Sequence, residues 1–150
     1  MQSAPTEPTH PKKRLVTAIH DPEQVERMME RARTLCDGDP VSDAVFVSLL
    51  LQEAGFVVPV THDPEELILR MMVGGWKVRR GPDAAVTAGD VYVVSGADSK
   101  PVELGFIGKV ALDGSWCYAL AYPAAPPYRP RRRALTGDAA APLSYHLHFG

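Results

Sequence analysis

Cysteine is scarce. Cys36 and Cys117 are too few for a disulfide framework, so packing rather than covalent staples must hold the chain together. Both are expected to be free, buried thiols, since Cys packs as a small hydrophobe. Long hydrophobic runs are missing as well: no stretch of about 18 apolar residues occurs, which leaves no candidate for a membrane-spanning helix. Nor is there an excess of one charge. Sixteen Lys and Arg against 18 Asp and Glu give a formal net charge of -2. Such a chain has no global electrostatic footprint for nucleic acid, which is therefore not the expected partner. Lys12, Lys13 and Arg14 are not followed by an apolar stretch long enough for a secretory signal, so a cytoplasmic location is the expectation. Repeats are lacking too. His20-Asp21-Pro22-Glu23 and His62-Asp63-Pro64-Glu65 look alike, but they read as one local way of starting a helix used twice.

What is present is an ordinary globular composition, 45% hydrophobic and 23% charged over 150 residues, enough for one domain with a real core. Residues 1–13 are polar and proline-rich and read as a disordered tail. Residues 14–150 read as a single domain. A first helix opens at Asp21-Pro22-Glu23-Gln24, with a capping Asp, a Pro at the first helical position and Gln24 where a capping box needs it. Val25, Met28, Met29, Ala32 and Leu35 give it one apolar stripe. A second helix runs from near Ser42 to Gly55, apolar around most of its girth, which predicts a central, buried position. A third starts at Asp63-Pro64 and ends at Gly74-Gly75.

After Gly75 the pattern becomes extended. Strands are expected over residues 76–80, 91–94, 102–112, 115–122 and 144–149, with a turn at Gly81-Pro82-Asp83. Asp113-Gly114 predicts a hairpin joining the third and fourth of these. A proline- and arginine-rich loop is expected over 123–133, holding Tyr128, Arg129, Arg131, Arg132 and Arg133. Helices first and antiparallel strands afterwards is an α+β order.

Three segments carry a resemblance. The run Asp43-Ala44-Val45-Phe46-Val47-Ser48-Leu49-Leu50-Leu51-Gln52-Glu53-Ala54-Gly55 resembles the nucleophile helix of the NlpC-type cell-wall peptidases, a papain-like family whose signature there reads roughly Asp-Cys-Ser-Gly-Phe-Val-Ser and then Ala-Gly. Ala88-Gly89-Asp90-Val91-Tyr92-Val93-Val94 resembles that family's Pro-Gly-Asp-led strand, and Glu103-Leu104-Gly105-Phe106-Ile107-Gly108 its His-Val-Gly-Ile strand. The resemblance covers roughly residues 22–122. It implies a papain-like fold with N-terminal helices packed on a small curved antiparallel sheet. It also places Asp43 where the family has its catalytic Cys, Glu103 where it has its His, and Tyr118 near its third polar position.

Cysteine peptidase chemistry needs a thiolate at a helix N-terminus and a histidine within hydrogen-bond reach. A carboxylate at 43 is a poor nucleophile for an amide, and Glu103 lacks the imidazole's switch near neutral pH. The resemblance therefore implies a catalytically inactive domain retained as a binding or assembly module. Its relatives act on peptidoglycan peptides or form parts of phage tails and secretion machines, so a protein or cell-wall-derived peptide is the expected partner. An alternative is an active hydrolase using a displaced thiol, Cys36 or Cys117, with a late histidine. A third reading is an adaptor working through its arginine loop, since Arg129, Arg131, Arg132 and Arg133 beside Tyr128 could meet an acidic partner. No cofactor and no metal are expected. His146 and His148 share a strand face, read as solvent-facing, and no third ligand is identifiable.

Overall fold

The computed structural model describes residues 10–80, 85–136 and 143–150. Within them lie helices α1 (Pro11–Ile19), α2 (Pro22–Cys36), α3 (Asp43–Glu53) and α4 (Pro64–Val73). They precede strands β1 (Lys77–Arg79), β2 (Val91–Ser95), β3 (Pro101–Val110), β4 (Trp116–Ala121), β5 (Arg131–Ala134) and β6 (Tyr145–His148). The protein is α+β. Its strands form one antiparallel sheet in the order β1-β6-β2-β3-β4-β5.

The expected helices form where their start signals stand. Asp21 and Asp63 cap α2 and α4 by accepting the amides of Glu23 and Glu65 at 3.1 Å, with Pro next in each case. Gln24 donates to the Asp21 carboxylate instead of closing a backbone capping box. In α2 the buried stripe is Val25, Met28, Met29, Ala32 and Cys36, while Leu35 turns outward. Cys36, four residues beyond Ala32, continues the buried face. Every residue of α3 from Ala44 to Leu51 is buried. It packs against α1, α2, α4 and β3, which surround it and make it the core of the helical layer.

Two boundaries differ from the sequence reading. The tail does not extend to residue 13, because α1 opens at Pro11 with His10 as its cap. Leu15, Ala18 and Ile19 bury one face of α1, while Lys13 and Arg14 stay exposed. Residues 1–9 of the expected tail, and the expected turn at Gly81-Pro82-Asp83, lie outside the described residues. Arg131, Arg132 and Arg133 are not in a loop: they form most of edge strand β5, paired with Ala119, Tyr118 and Cys117 of β4. The pairing groups of β4 recruit this segment whatever its side-chain charge, and an arginine-rich edge strand also discourages further strand addition.

The helices cover one face of the sheet, where Val91, Val93, Leu104, Phe106, Leu120 and Leu147 join the main core. Alternation sends their neighbours to the other face. There Tyr92, Ile107 and Cys117 form a smaller buried cluster.

Candidate functional site

At the head of α3, Ser42 is the cap. Its Oγ accepts the Ala44 amide at 3.1 Å and donates to the His62 carbonyl at 2.7 Å. Asp43, the first helical residue, is thus spared that task and reaches across to the sheet, where its Oδ2 accepts the Leu104 amide at 3.1 Å. Its carboxyl is pushed above the ordinary value of 3.8, mainly by burial, with the Leu104 hydrogen bond opposing and the Glu103 charge adding a smaller rise. The next residue along β3 is the other position of interest. Strand alternation places Glu103 on the face of Tyr92 and Ile107, away from the helices, while Leu104 faces α3. Glu103 Oε2 accepts from the Tyr92 hydroxyl and from Arg133 Nη1 at 3.3 Å. Asp43 and Glu103 both border a cleft of about 270 Å³ with Val41, Pro64 and Val102. No hydrogen bond joins them directly among the described residues.

Tyr92, which sequence reasoning passed over as a strand former, joins this candidate site through Glu103. Its hydroxyl is pushed far above its ordinary value, first by burial and then by its hydrogen bond to Glu103. The Arg133 guanidinium lies 4.9 Å above its ring. Gly105 is required beneath it: a Cβ there would collide with the Tyr92 ring. On the far side of Glu103 a cavity of about 260 Å³ is lined by Tyr92, Glu103, Arg129, Arg131, Arg132 and Arg133, among others. Arg129, Arg131 and Arg132 are exposed. Arg132 also stacks 4.3 Å over the Trp116 ring.

Tyr118 and Tyr128 fall elsewhere. Tyr118, about a third exposed, packs edge-on against Trp116 at 5.2 Å and makes no hydrogen bond to Glu103. Tyr128 lines a separate cavity of about 360 Å³ with Glu23, Glu26, Arg27 and Glu30 of α2, so it faces acidic groups and is not joined to the arginine cleft. Both thiols are buried and free. Burial pushes the Cys117 thiol up, with Arg133 partly opposing. Neither cysteine is hydrogen-bonded to a histidine among the described residues.

A second polar cluster was not anticipated at all. Asp90, the residue of the Gly-Asp-led strand, is fully buried. Its Oδ2 accepts the Thr87 amide at 2.8 Å. Its Oδ1 receives Lys12 Nζ at 3.3 Å, Thr87 Oγ1 at 3.1 Å and His148 Nδ1 at 2.8 Å. His146 Nε2 lies 3.5 Å from Oδ2. His148 Nδ1 also lies 3.1 Å from Lys12 Nζ and 3.4 Å from Thr87 Oγ1, so one ring nitrogen is shared among Asp90, Lys12 and Thr87. His146 is pushed below its ordinary value, chiefly by burial, with Asp90 opposing. The two histidines are therefore not a solvent-facing pair. Alternation shows which side chains share a face, but not whether that face is wet. Among the described residues no group of three or more His, Cys, Asp and Glu is disposed to hold a metal ion.

Comparison with family models, curated proteins and solved structures returns no match.

Proposed function

We propose that the chain is an NlpC-like domain without peptidase activity that serves as a binding or assembly module, with an acidic segment of a protein or peptide partner docking on the arginine-lined cleft beside Glu103. The observation that carries this reading is what stands at the two catalytic positions. Both hold carboxylates, and both carboxylates are tied into the scaffold, Asp43 to Leu104 and Glu103 to Tyr92 and Arg133. The buried thiols, without histidine partners, speak against a displaced nucleophile. Three exposed arginines around the cleft supply charge for a carboxylate-bearing partner. Of the partner types that the resemblance implies, peptidoglycan-derived peptides and components of phage tails or secretion machines, the cleft favours those presenting carboxylates.

The test is fluorescence anisotropy with a labelled deca-glutamate peptide at low and at physiological salt. Saturable binding is expected, weakened by salt and by about tenfold or more in Arg129→Gln/Arg131→Gln. Absence of binding at low salt, or binding indifferent to the arginines, would reject the docking site. Release of new amino termini from peptidoglycan fragments by the wild-type protein would reject the non-peptidase half.

A further inference from the structure

Two clefts of opposite charge lie on either side of one loop. The cleft of about 360 Å³ on α2 is lined by Glu23, Glu26 and Glu30, all exposed, with Arg27 as its one basic group among the described residues. Arg27 is drawn off to Glu53 at 3.3 Å, and Glu30 meets Arg33 at 3.4 Å, but exposed pairs of this kind hold their partners weakly. Residues 1–9, 81–84 and 137–142 contain no Lys, Arg or His, so those segments add no basic side chain to it. The cleft of about 260 Å³ beside Glu103 carries Arg129, Arg131, Arg132 and Arg133. The loop between β4 and β5 supplies both walls: Tyr128 lines the acidic cleft, while Ala124 and Arg129 line the basic one. Its tip, Ala125, Pro126 and Pro127, is apolar and exposed, and is closed by the Tyr128 amide donating to the Ala125 carbonyl at 2.8 Å.

We infer that this face is the interface of a homodimer, in which the loop tip packs against its two-fold copy and the α2 glutamates of each chain enter the arginine cleft of the other. The inference rests on the reading of that cleft as a dock for carboxylates and names their source, a second copy of this chain. A two-fold interface sets a patch against itself, so a patch of one sign repels its own copy. Here the patch is acidic on one side of the loop and basic on the other, and a half-turn about the loop tip lays each side on its opposite. An unrelated acidic partner would satisfy the arginines but be repelled by the glutamates across the loop, whereas a second copy satisfies both. The two contacts form together, so ion pairs that are weak singly act as one. An apolar centre with a charged rim is the usual anatomy of a protein interface. The fixed φ of the two prolines also means that the tip loses little freedom on docking.

Sedimentation equilibrium of the full chain at low and at physiological salt tests this. A concentration-dependent monomer–dimer equilibrium is expected, weakened by salt. Its Kd should rise by about tenfold or more in Glu26→Gln/Glu30→Gln and equally in Arg129→Gln/Arg131→Gln. Charge reversal gives the sharper readout. Glu26→Arg/Glu30→Arg and Arg129→Glu/Arg131→Glu should each be monomeric, and their equimolar mixture should recover the dimer, which also shows that both variants are folded. A chain still monomeric at about 1 mM in low salt overturns the proposal. If that same monomer binds the deca-glutamate peptide, the docking cleft stands and only its occupant is wrong. Assembly beyond a dimer, or a dimer indifferent to both reversals, also overturns the two-fold contact.

Discussion

A carboxylate at the mouth of a helix ordinarily caps it, but Asp43 does something different because Ser42 already caps α3. Its hydrogen bond to Leu104 ties the helix to β3 across 61 positions of sequence. Asp43→Ala leaves a part-buried amide without its partner and should cost about 1–3 kcal/mol in urea unfolding at pH 7. Asp43→Asn keeps an acceptor oxygen and drops the charge. Because the folded value lies above 3.8, Asp43's contribution is fully present below 3.8 and lost as pH rises through the folded value. The Asn variant should therefore match or exceed wild type at pH 7, with the gap narrowing as pH falls towards 3.8. His146 has the opposite sign, its folded value lying below 6.5. Its contribution is fully present above 6.5 and is lost as pH falls from there towards the folded value, so His146→Gln should flatten the stability profile in that window. Roles set by immediate neighbours, such as the caps Asp21 and Asp63, were legible in the sequence. Lys12 and Asp90, 78 positions apart, carry no sequence mark of their pairing.

At the scale of the elements, α3 and α1 show what periodicity reveals and what it hides. The all-round apolar pattern of α3 announced burial, and Leu50→Ala should cost about 2–5 kcal/mol by thermal or chemical denaturation. Ser48, also buried, donates to the Ala44 carbonyl and accepts the Thr61 amide, so its place inside that helix is satisfied. Helix α1 was missed because its short apolar stripe of Leu15, Ala18 and Ile19 follows a proline-rich segment whose Lys12 and Lys13 read as the end of a tail. One of those basic residues is what docks it: Lys12 reaches the buried Asp90 carboxylate. Asp90→Ala removes the group shared by Lys12, Thr87 and His148, and should destabilise the fold by about 3 kcal/mol or more. Amide exchange in α1 should accelerate more than in α2.

For the molecule as a whole, the order of helices before strands sufficed for the α+β class, and the Asp113-Gly114 turn for the pairing of β3 with β4. The order of the sheet was beyond reach, because pairing partners are chosen by three-dimensional packing that periodicity does not encode. The side of the sheet on which Glu103 and the histidines emerge shares that origin. Both thiols should label slowly with iodoacetamide near neutral pH and quickly once the protein is denatured, read by mass spectrometry. Rapid stoichiometric labelling of one native cysteine would revive the hydrolase reading. The strand order has a further consequence for how the chain is made. Strand β6 is inserted between β1 and β2, which are consecutive in sequence but never touch. As the polypeptide emerges from the ribosome, β1 has no neighbour and β2 an open flank until residue 148 has been synthesised. The His146 and His148 partners of Asp90 arrive in that same segment. Closure of the sheet is thus deferred to the moment when β6 leaves the exit tunnel, and the nascent chain carries an unfinished edge until then.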